Sequence, residues 1–220
     1  MDPIWNKIHK GGWGKYPNEA LVRFLCRYKK AEPDFKRNNK VLDLGCGAGA
    51  NTKMMVAEGF KVWAVDGAGE AVRHAKAFVS QKNTKFIVAD FVDIASIFPK
   101  GFFDIVCDNV SVYTNTVKNI EAILASVAKI LKKDGLFYSS CFSTKTLGCG
   151  LGKKLESGTF IDIRESVFFK DRGIAHFYTE KEARKVYGKF FTVQSFDVDY
   201  HTEFNGQNTV SMFVLICRKK

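Results

Sequence analysis

The sequence predicts an α/β fold, a three-layer sandwich in which helices cover both faces of a seven-stranded, mostly parallel sheet. Two observations support this prediction. Between residues 40 and 142, short apolar runs alternate with segments of helical periodicity, which is typical of βαβ crossovers and of a parallel sheet. Near the C-terminus, two long alternating segments flank Asn205-Gly206, a pair that suits a tight turn between antiparallel strands. We therefore expect the sheet to end in an antiparallel hairpin.

Five apolar runs give the parallel part of this sheet, and they read KVLDL, KVWAV, KFIVA, FDIVC and LFYSSCF. Helices are expected between them at about 50–58, 69–80 and 117–132. The last of these repeats apolar residues every three or four positions, as an amphipathic helix does. We expect Lys132 and Lys133 to close its final turn, where cations interact favourably with the helix dipole.

Two more helices flank the predicted sheet. Segment 17–30 is expected to be one of them, because its apolar residues share one face: Leu21, Phe24, Leu25 and Tyr28. The other is expected at about 179–188. It starts with Thr179 and has Glu182 three residues later, which is the pattern of a capping box.

Composition limits the classes of function that need to be considered. The chain has 220 residues, of which 46% are hydrophobic, enough for one sizeable core and hence a single domain over 1–220. No apolar run has the length of a signal peptide or of the roughly 18 residues that span a bilayer. We expect a cytoplasmic protein with no membrane contact. The six cysteines show no metal-ligand spacing, so we expect reduced thiols and no metal site.

The chain is basic, with a formal net charge of +11. A basic balance fits nucleic acid, a small anionic substrate or a solvated surface. The lysines and arginines are dispersed, whereas nucleic-acid binders more often show a dense basic run or an aromatic-interleaved patch. A nucleic-acid partner is therefore not favoured.

A glycine-rich turn follows the first strand, in the sequence VLDLGCGAGA. Gly45, Gly47 and Gly49 fit both the dinucleotide fingerprint and the GxGxG loop of methyl-donor sites, so the motif alone is weakly specific. In both cases glycine leaves no Cβ between the backbone and a ligand at the start of a helix. The polar residues around the turn must decide between the two templates.

Three aspartates occupy or follow successive strand ends. Asp43 precedes the first glycine, Asp66 ends the second strand and is followed by Gly67, and Asp90 follows the third strand with Phe91 beside it. Asp66 lies where a carboxylate accepts ribose hydroxyls. Three acids suit a positively charged adenosine compound better than a pyrophosphate, which disfavours a nicotinamide dehydrogenase.

These motifs resemble those of the class I S-adenosylmethionine-dependent methyltransferases over residues 40–142. VLDLGCGAG is similar to the first motif of that family, VWAVDG to its second, FIVADF to its third and FDIVCDNVSVYT to its fourth. The resemblance implies a Rossmann-like methyltransferase fold with S-adenosyl-L-methionine as cofactor and S-adenosyl-L-homocysteine as product. It implies Gly45 and Gly47 at the methionine moiety, Asp43 near the ammonium group, Asp66 at the ribose, and Asp90 with Phe91 at the adenine.

The same resemblance divides the chain into four parts: an N-terminal lid and helix (1–39), a core that binds the methyl donor (40–142), an insertion that binds the acceptor (143–175), and a C-terminal helix with a hairpin (176–220). Trp13 and Tyr16 lie in the glycine-rich segment GGWGKYP and are expected to close over the methyl donor. Asn109 and Tyr113 follow the fourth strand, where open α/β sheets present groups to a ligand. We expect Asn109 near the methyl donor and Tyr113 at the reacting groups.

His176 precedes the helix at 179–188 and is the candidate general base, which a sugar hydroxyl would need and an amine or phosphate oxygen would not. With no appended domain, we expect a small acceptor, possible partners being phosphorylated or sugar-type compounds. GCGLGKKLES and HFYTEKEARKVY resemble bacterial methyltransferases of surface-glycan and capsule precursor pathways. Two alternatives remain open: an RNA methyltransferase, although DNVSVY lacks the DPPY or NPPY form, and a catalytically idle module that binds S-adenosylmethionine.

Overall fold

The computed structural model describes residues 4–10, 14–31, 39–166 and 168–220. Trp13 lies outside these residues. The seven strands of the main sheet and the helices between them occur in alternating order along the chain. They are α1 (Ile4–Lys10), α2 (Glu19–Ala31), β1 (Lys40–Leu44), α3 (Ala50–Ala57), β2 (Lys61–Asp66), α4 (Gly69–Phe78), β3 (Thr84–Val88), α5 (Ile94–Ile97), β4 (Phe103–Asn109), α6 (Val117–Ile130), β5 (Leu131–Phe142), β6 (Lys153–Glu156), β7 (Thr159–Ile161), β8 (Ala175–His176), α7 (Glu180–Gly188), β9 (Phe191–Glu203) and β10 (Asn208–Lys219).

The main sheet has the strand order β3-β2-β1-β4-β5-β10-β9, which confirms the predicted fold class. The first five strands pair in parallel, and β10 pairs antiparallel with both β5 and β9. β9 and β10 form the predicted hairpin, and Asn205 and Gly206 in its turn have φ angles of 58° and 84°. The parallel strands therefore direct their carboxyl ends to one edge of the sheet, where α/β proteins bind ligands.

Both faces of the sheet are covered by helices. On one face, α5, α6 and α7 pack over residues such as Leu42, Val106 and Phe137. On the other face, α2 and α3 pack over Val41, Val62 and Ile105. Because side chains alternate along a strand, the fully apolar runs predicted from the sequence supply both layers.

The prediction that Lys132 and Lys133 close the last turn of α6 is wrong. The helix ends at Ile130, and Leu131 already pairs with Phe103 of β4. Leu131 is buried in this position, and the Lys132 ammonium forms an ion pair with Asp104. Strand pairing and burial of Leu131 thus override the local preference for cations at a helix end.

The segment between β5 and α7 contains a second sheet, which the sequence did not predict. β6, β7 and β8 form a small antiparallel sheet in the order β6-β7-β8. Glu156 joins it to the main domain, because its carboxylate accepts hydrogen bonds from the Val117 amide at the start of α6 (2.7 Å) and from the Thr159 hydroxyl (3.0 Å). Among the described residues, no helix is both long and apolar enough to cross a bilayer.

Candidate functional site

The turn between β1 and α3 is shaped by its glycines. Gly45 has a φ angle of 80°, and a Cβ at this position would collide with the Ser111 hydroxyl. The Gly45 and Cys46 amides donate to the Val65 carbonyl (2.8 and 3.0 Å), so the turn curls over the end of β2. The backbone is therefore exposed to a ligand at the start of α3, as the glycine motif predicts.

Asp66 is held at this turn by backbone hydrogen bonds. Its carboxylate accepts from the Gly47 amide (3.0 Å) and from the Ala68 amide (2.9 Å). Burial raises the pKa of Asp66, whereas these amides and the nearby His9 lower it. Gly67 lies between the strand end and α4. The carboxylate is thus fixed in position at the edge of a cavity, where it could accept hydroxyl hydrogen bonds.

Two further aspartates lie beneath the site. Asp43 is buried and accepts a hydrogen bond from the Thr52 hydroxyl, and burial raises its pKa to about 7. Asp108 of β4 is also buried, which raises its pKa to about 6. Asp43 is not among the described residues that line the cavity, so its predicted contact with an ammonium group would act through intervening groups. The negative charges of Asp43, Asp66 and Asp108 complement a cationic ligand.

Asp108 also builds the turn after β4. Its carboxylate accepts from the Ser111 and Val112 amides (2.9 and 3.1 Å) and from the Ser139 hydroxyl (2.7 Å). Val110 adopts a φ angle of 50° within this turn, which is strained for a β-branched residue. Asn109, Val110 and Ser111 all line the cavity. The fixed, strained turn therefore presents them to a ligand.

A cavity of about 370 Å³ opens at this edge of the sheet. Its volume is within the range of small-molecule sites. The part that we call the donor half contains the glycine turn, Asp66, Phe91 and the turn after β4. Of the residues predicted from the sequence, the cavity is lined by Tyr16, Gly45, Gly47, Asp66, Phe91, Asn109 and Tyr113.

The opposite part, the aromatic half, is formed by Tyr113, Phe142, Phe168 and Arg172. The Tyr113 and Phe142 rings meet edge to face with centroids 4.9 Å apart, and Phe169 packs behind both. Burial raises the pKa of the Tyr113 hydroxyl well above its usual range, although the Arg172 charge opposes this shift. Tyr113 therefore stays protonated at neutral pH and can donate a hydrogen bond.

The N-terminal helix α1 packs against α4 and reaches the donor half. Trp5 and His9 of this helix line the cavity, as does Tyr16, whose side chain is 91% exposed. His9 is buried next to Asp66; burial lowers the His9 pKa, and the Asp66 charge partly offsets this effect. The N-terminal part thus covers the cavity as predicted, but the described contacts come mainly from α1.

Asp90 and His176 lie outside the cavity lining formed by the described residues. Asp90 accepts from the Val92 amide (3.2 Å) and caps the turn that presents Phe91. His176 is fully buried, with its Nδ1 2.7 Å from the Thr159 hydroxyl and its Nε2 3.5 Å from the Glu182 carboxylate. Burial lowers its pKa to about 4.

This placement favours a supporting role for His176 over the predicted role as a general base, because a base must reach the acceptor. The backbone amide of His176 donates to the Tyr113 carbonyl (2.9 Å) and so supports a residue that does line the cavity. The capping prediction is confirmed, since the Thr179 hydroxyl accepts from the Glu182 amide (3.2 Å). The Glu182 side chain lies near His176 instead of only serving the helix end.

Several cavity residues were missed from the sequence: Trp5, His9, Asn18, Asn51, Phe142 and Phe168. Asn18 and Asn51 meet through a hydrogen bond from the Asn18 amide to the Asn51 side chain (2.9 Å). Asn51 could have been found from its position one residue after the glycine turn ends. The others carry no local signal, because aromatic residues at a strand end or in a loop are equally common in cores.

Comparison with known proteins identifies the domain. Residues 41–135 match the family model described as a methyltransferase domain. An uncharacterized methyltransferase of Synechocystis is 32% identical over 98 residues, which are 44% of this chain and 44% of the relative. A putative methyltransferase of Geobacillus is 27% identical over 65% of this chain and 55% of its own length. The chain thus spans about half the length of the curated relatives that it matches.

Solved structures share the complete fold. A methyltransferase from Methanosarcina mazei described as S-adenosylmethionine-dependent superposes with a TM-score of 0.71 at 21% identity, over 93% of this chain and 98% of its own. The 1,6-didemethyltoxoflavin-N1-methyltransferase of Burkholderia thailandensis, solved with 1,6-didemethyltoxoflavin and S-adenosylhomocysteine bound, gives 0.65 at 20% identity, over 92% and 77%. Residues 41–135 belong to the methyltransferase domain family, and the chain has the fold of the class I S-adenosylmethionine-dependent methyltransferases.

Proposed function

We propose that this chain is an S-adenosylmethionine-dependent methyltransferase that acts on a small acceptor. The observation that carries the proposal is the single cavity in which the glycine turn and Asp66 face an aromatic half of different chemistry. Such a cavity has room for two ligands of different character next to each other. The family match of residues 41–135 and the methyltransferase structures of the same fold support the choice of methyl donor.

The donor half fits S-adenosylmethionine in charge and shape. Gly45 and Gly47 leave the backbone open, Asp66 has a fixed carboxylate for ribose hydroxyls, and Phe91 offers an apolar ring for an adenine. Asp43 and Asp108 add negative potential below the turn, which suits a sulfonium cation and an ammonium group. When bound, S-adenosylmethionine supplies the methyl group together with a good leaving group.

The protein would then contribute alignment and exclusion of water. Holding two reactants in line within a closed cavity supplies much of the rate enhancement in such transfers. α1 covers the donor half, and Tyr113 can orient an acceptor by donating a hydrogen bond from its neutral hydroxyl. No described side chain in the cavity is assigned as a strong base, so an amine or a phosphate oxygen is a better acceptor than an unactivated sugar hydroxyl.

Small acceptors are favoured over nucleic acid because the aromatic half is enclosed by the segment between β5 and α7. The Burkholderia methyltransferase shows that the same fold can hold 1,6-didemethyltoxoflavin together with S-adenosylhomocysteine. A phosphorylated compound of a surface-glycan or capsule precursor pathway remains one candidate acceptor, in keeping with the basic net charge. We further propose that the protein works in the cytoplasm.

Calorimetric titration with S-adenosylmethionine and with NAD tests the donor half. We expect binding of S-adenosylmethionine only, and a loss on the order of 1 to 3 kcal/mol in Asp66→Ala, because two ribose hydroxyls lose their acceptor. Asp93→Ala, which removes an exposed carboxylate of the next turn, is the matched control and should bind normally. Equal affinity of wild type and Asp66→Ala would overturn the ribose assignment.

Labelled methyl donor, incubated with a panel of amines, phosphorylated metabolites, sugar nucleotides and transfer RNA, tests the acceptor. Label on a small compound supports the proposal. Label on RNA alone would replace it with an RNA methyltransferase. Binding of S-adenosylmethionine without transfer to any member of a broad panel would favour a binding module without catalysis.

A further inference from the structure

The aromatic half of the cavity has a feature that the methyl donor does not require, namely a cation set among aromatic rings. Among the described cavity-lining residues, Arg172 is the one lysine or arginine. Its guanidinium lies 5.9 Å from the centroid of the Phe168 ring. Lys153, Lys154 and Arg164 of the same insertion do not line the cavity and are exposed. The structure thus separates Arg172 from the other basic residues of this segment.

The backbone of the segment brings Arg172 to this place. The Phe169 and Lys170 amides donate to the Ser166 carbonyl (3.2 and 3.0 Å), and the Arg172 amide donates to the Phe169 carbonyl (3.1 Å). Asp171 and Gly173 on either side have φ angles of 58° and 76°. Two consecutive tight turns therefore reverse the chain, so that Arg172 returns towards Phe168 while Phe169 stays in the core.

The rings around Arg172 form a stiff apolar wall. Tyr113 and Phe142 are both nearly inaccessible to solvent, and Phe169 meets the Phe142 ring edge to face at 4.9 Å. Phe169 in turn packs on Phe177 at 4.9 Å. Aromatic rings held in this way offer flat faces and edges to a ligand, and conjugated rings are the ligands that pack best on them.

Arg172 is itself about half buried, and burial lowers the pKa of its guanidinium while Tyr113 opposes that shift. Arginine nevertheless keeps its charge in proteins. A partly desolvated guanidinium next to a neutral Tyr113 hydroxyl gives two kinds of hydrogen-bond donor on one side of the cavity. Carboxylates and phosphates match such a group, because a guanidinium binds them through two parallel hydrogen bonds.

The charges of the two halves are opposite. The described acid that lines the cavity is Asp66, in the donor half, with Asp43 and Asp108 buried behind it. Arg172 lies in the aromatic half. An acceptor with a negative charge would therefore be attracted to the aromatic half and repelled by the donor half, whereas a cationic methyl donor would behave in the opposite way.

We propose that Arg172 and the aromatic wall of Tyr113, Phe142 and Phe168 select an acceptor made of a flat conjugated ring that carries a carboxylate or a phosphate. This inference rests on the proposed methyltransferase function and names the substrate class of its second subsite. Arg172 holds the anionic group, the rings hold the flat body, and the atom to be methylated points towards the donor half.

The test uses binding as well as turnover. The full chain, saturated with S-adenosylhomocysteine, is titrated with para-aminobenzoate and aminophenyl phosphate, with the uncharged methyl ester of para-aminobenzoate, and with the aliphatic anion aminobutyrate. We expect the better of the two anionic arenes to bind at least about tenfold more tightly than both the ester and aminobutyrate. The carboxylate and phosphate arms show which anion the site prefers. Methyl transfer to the same compounds is measured in parallel.

Variants assign the selectivity to Arg172. Arg172→Gln should bring the anionic arene and the ester to within about twofold of each other, and Arg172→Lys should retain part of the difference. Arg164→Gln removes an exposed arginine of the same insertion and should behave as wild type. Phe168→Leu should weaken the arenes and leave aminobutyrate unchanged. Affinity for S-adenosylhomocysteine, measured separately, should be unaltered in all four variants.

Selectivity for the anion that persists in Arg172→Gln would overturn the inference, as would equal binding of the ester, or failure of both anionic arenes to bind the wild type. These results leave the proposed function intact if S-adenosylmethionine still binds. Failure of the wild type to bind S-adenosylmethionine or S-adenosylhomocysteine would instead reject the proposed function. The two failures are therefore distinguishable.

Discussion

The two halves of the cavity are built in different ways. The donor half comes from four successive turns at the carboxyl ends of β1, β2, β3 and β4, and each turn places its functional group within a few residues of a strand end. The aromatic half instead combines Tyr113, Phe142, Phe168 and Arg172, which come from three separate parts of the chain. One half is a repeated local device and the other is a product of tertiary packing.

This difference teaches which half tolerates change. Groups in the donor half are fixed by backbone geometry, as when Asp66 accepts from the Gly47 and Ala68 amides. Groups in the aromatic half are fixed by side-chain packing and by the turns around Asp171 and Gly173. Substitutions in the donor half should therefore affect any reaction of this fold, whereas those in the aromatic half should alter the choice of acceptor.

The largest effect is expected for Gly45→Ala. The new methyl group would collide with the Ser111 hydroxyl at a left-handed φ angle of 80°. Overpacking costs about 1 to 3 kcal/mol, and the left-handed conformation costs about 1 to 2 kcal/mol more. Affinity for the methyl donor should fall at least about 30-fold by calorimetry. Gly188→Ala is the control, because a Cβ there meets nothing within 4 Å. Normal donor affinity in Gly45→Ala would show that the turn is not rigid.

A slightly smaller effect is expected on stability when the donor half loses a buried acid. The folded-state pKa of Asp43 is raised to about 7, so the folded protein keeps a proton that the unfolded chain releases. This contribution is fully present below the unfolded pKa and is lost as the pH rises through about 7. Relative to Asp43→Asn, wild type should lose roughly 2 to 4 kcal/mol of unfolding free energy between about pH 4 and pH 8.

Urea denaturation of both proteins at several pH values measures this difference. Asp134→Asn, which alters an exposed carboxylate, serves as the control and should follow wild type within about 0.5 kcal/mol. If Asp43→Asn also follows wild type at every pH, Asp43 is ionised throughout, and burial does not dominate its titration.

The smallest effect, and one of opposite sign, is expected for His176 behind the aromatic half. Burial lowers its folded-state pKa to about 4, so the unfolded chain takes up a proton that the folded protein refuses. The stability contribution is present above the unfolded pKa near 6.5 and decreases as the pH falls towards about 4. Relative to His176→Gln, wild type should lose on the order of 1 to 3 kcal/mol over this range.

The same variant distinguishes a supporting role from catalysis. At neutral pH, His176→Gln should keep kcat within about threefold of wild type, whereas loss of a general base lowers rates by about 100-fold or more. His201→Gln, at an exposed histidine of β9, is the matched control for both measurements. A 100-fold loss of kcat with unchanged stability would restore His176 as the base.

The sequence by itself determined the class of fold and most of the donor half. Strand periodicity predicted the parallel sheet and the C-terminal hairpin, and strand ends predicted that Gly45, Asp66, Phe91 and Asn109 would meet. This was possible because in a parallel sheet the carboxyl ends of all strands share one edge. A short motif at each strand end is therefore enough to predict that its residues lie together.

Tertiary structure alone decided the aromatic half, the end of α6 and the surroundings of His176. Leu131 leaves the helix because it pairs with Phe103, a residue 28 positions earlier, and no local pattern contains that contact. Arg172 differs from Arg164 only in the turns that direct it into the cavity. His176 reads as a catalytic residue in the sequence, yet packing against Thr159 and Tyr178 buries it completely. Contacts between residues far apart in the chain depend on the whole packed structure, which local periodicity does not encode.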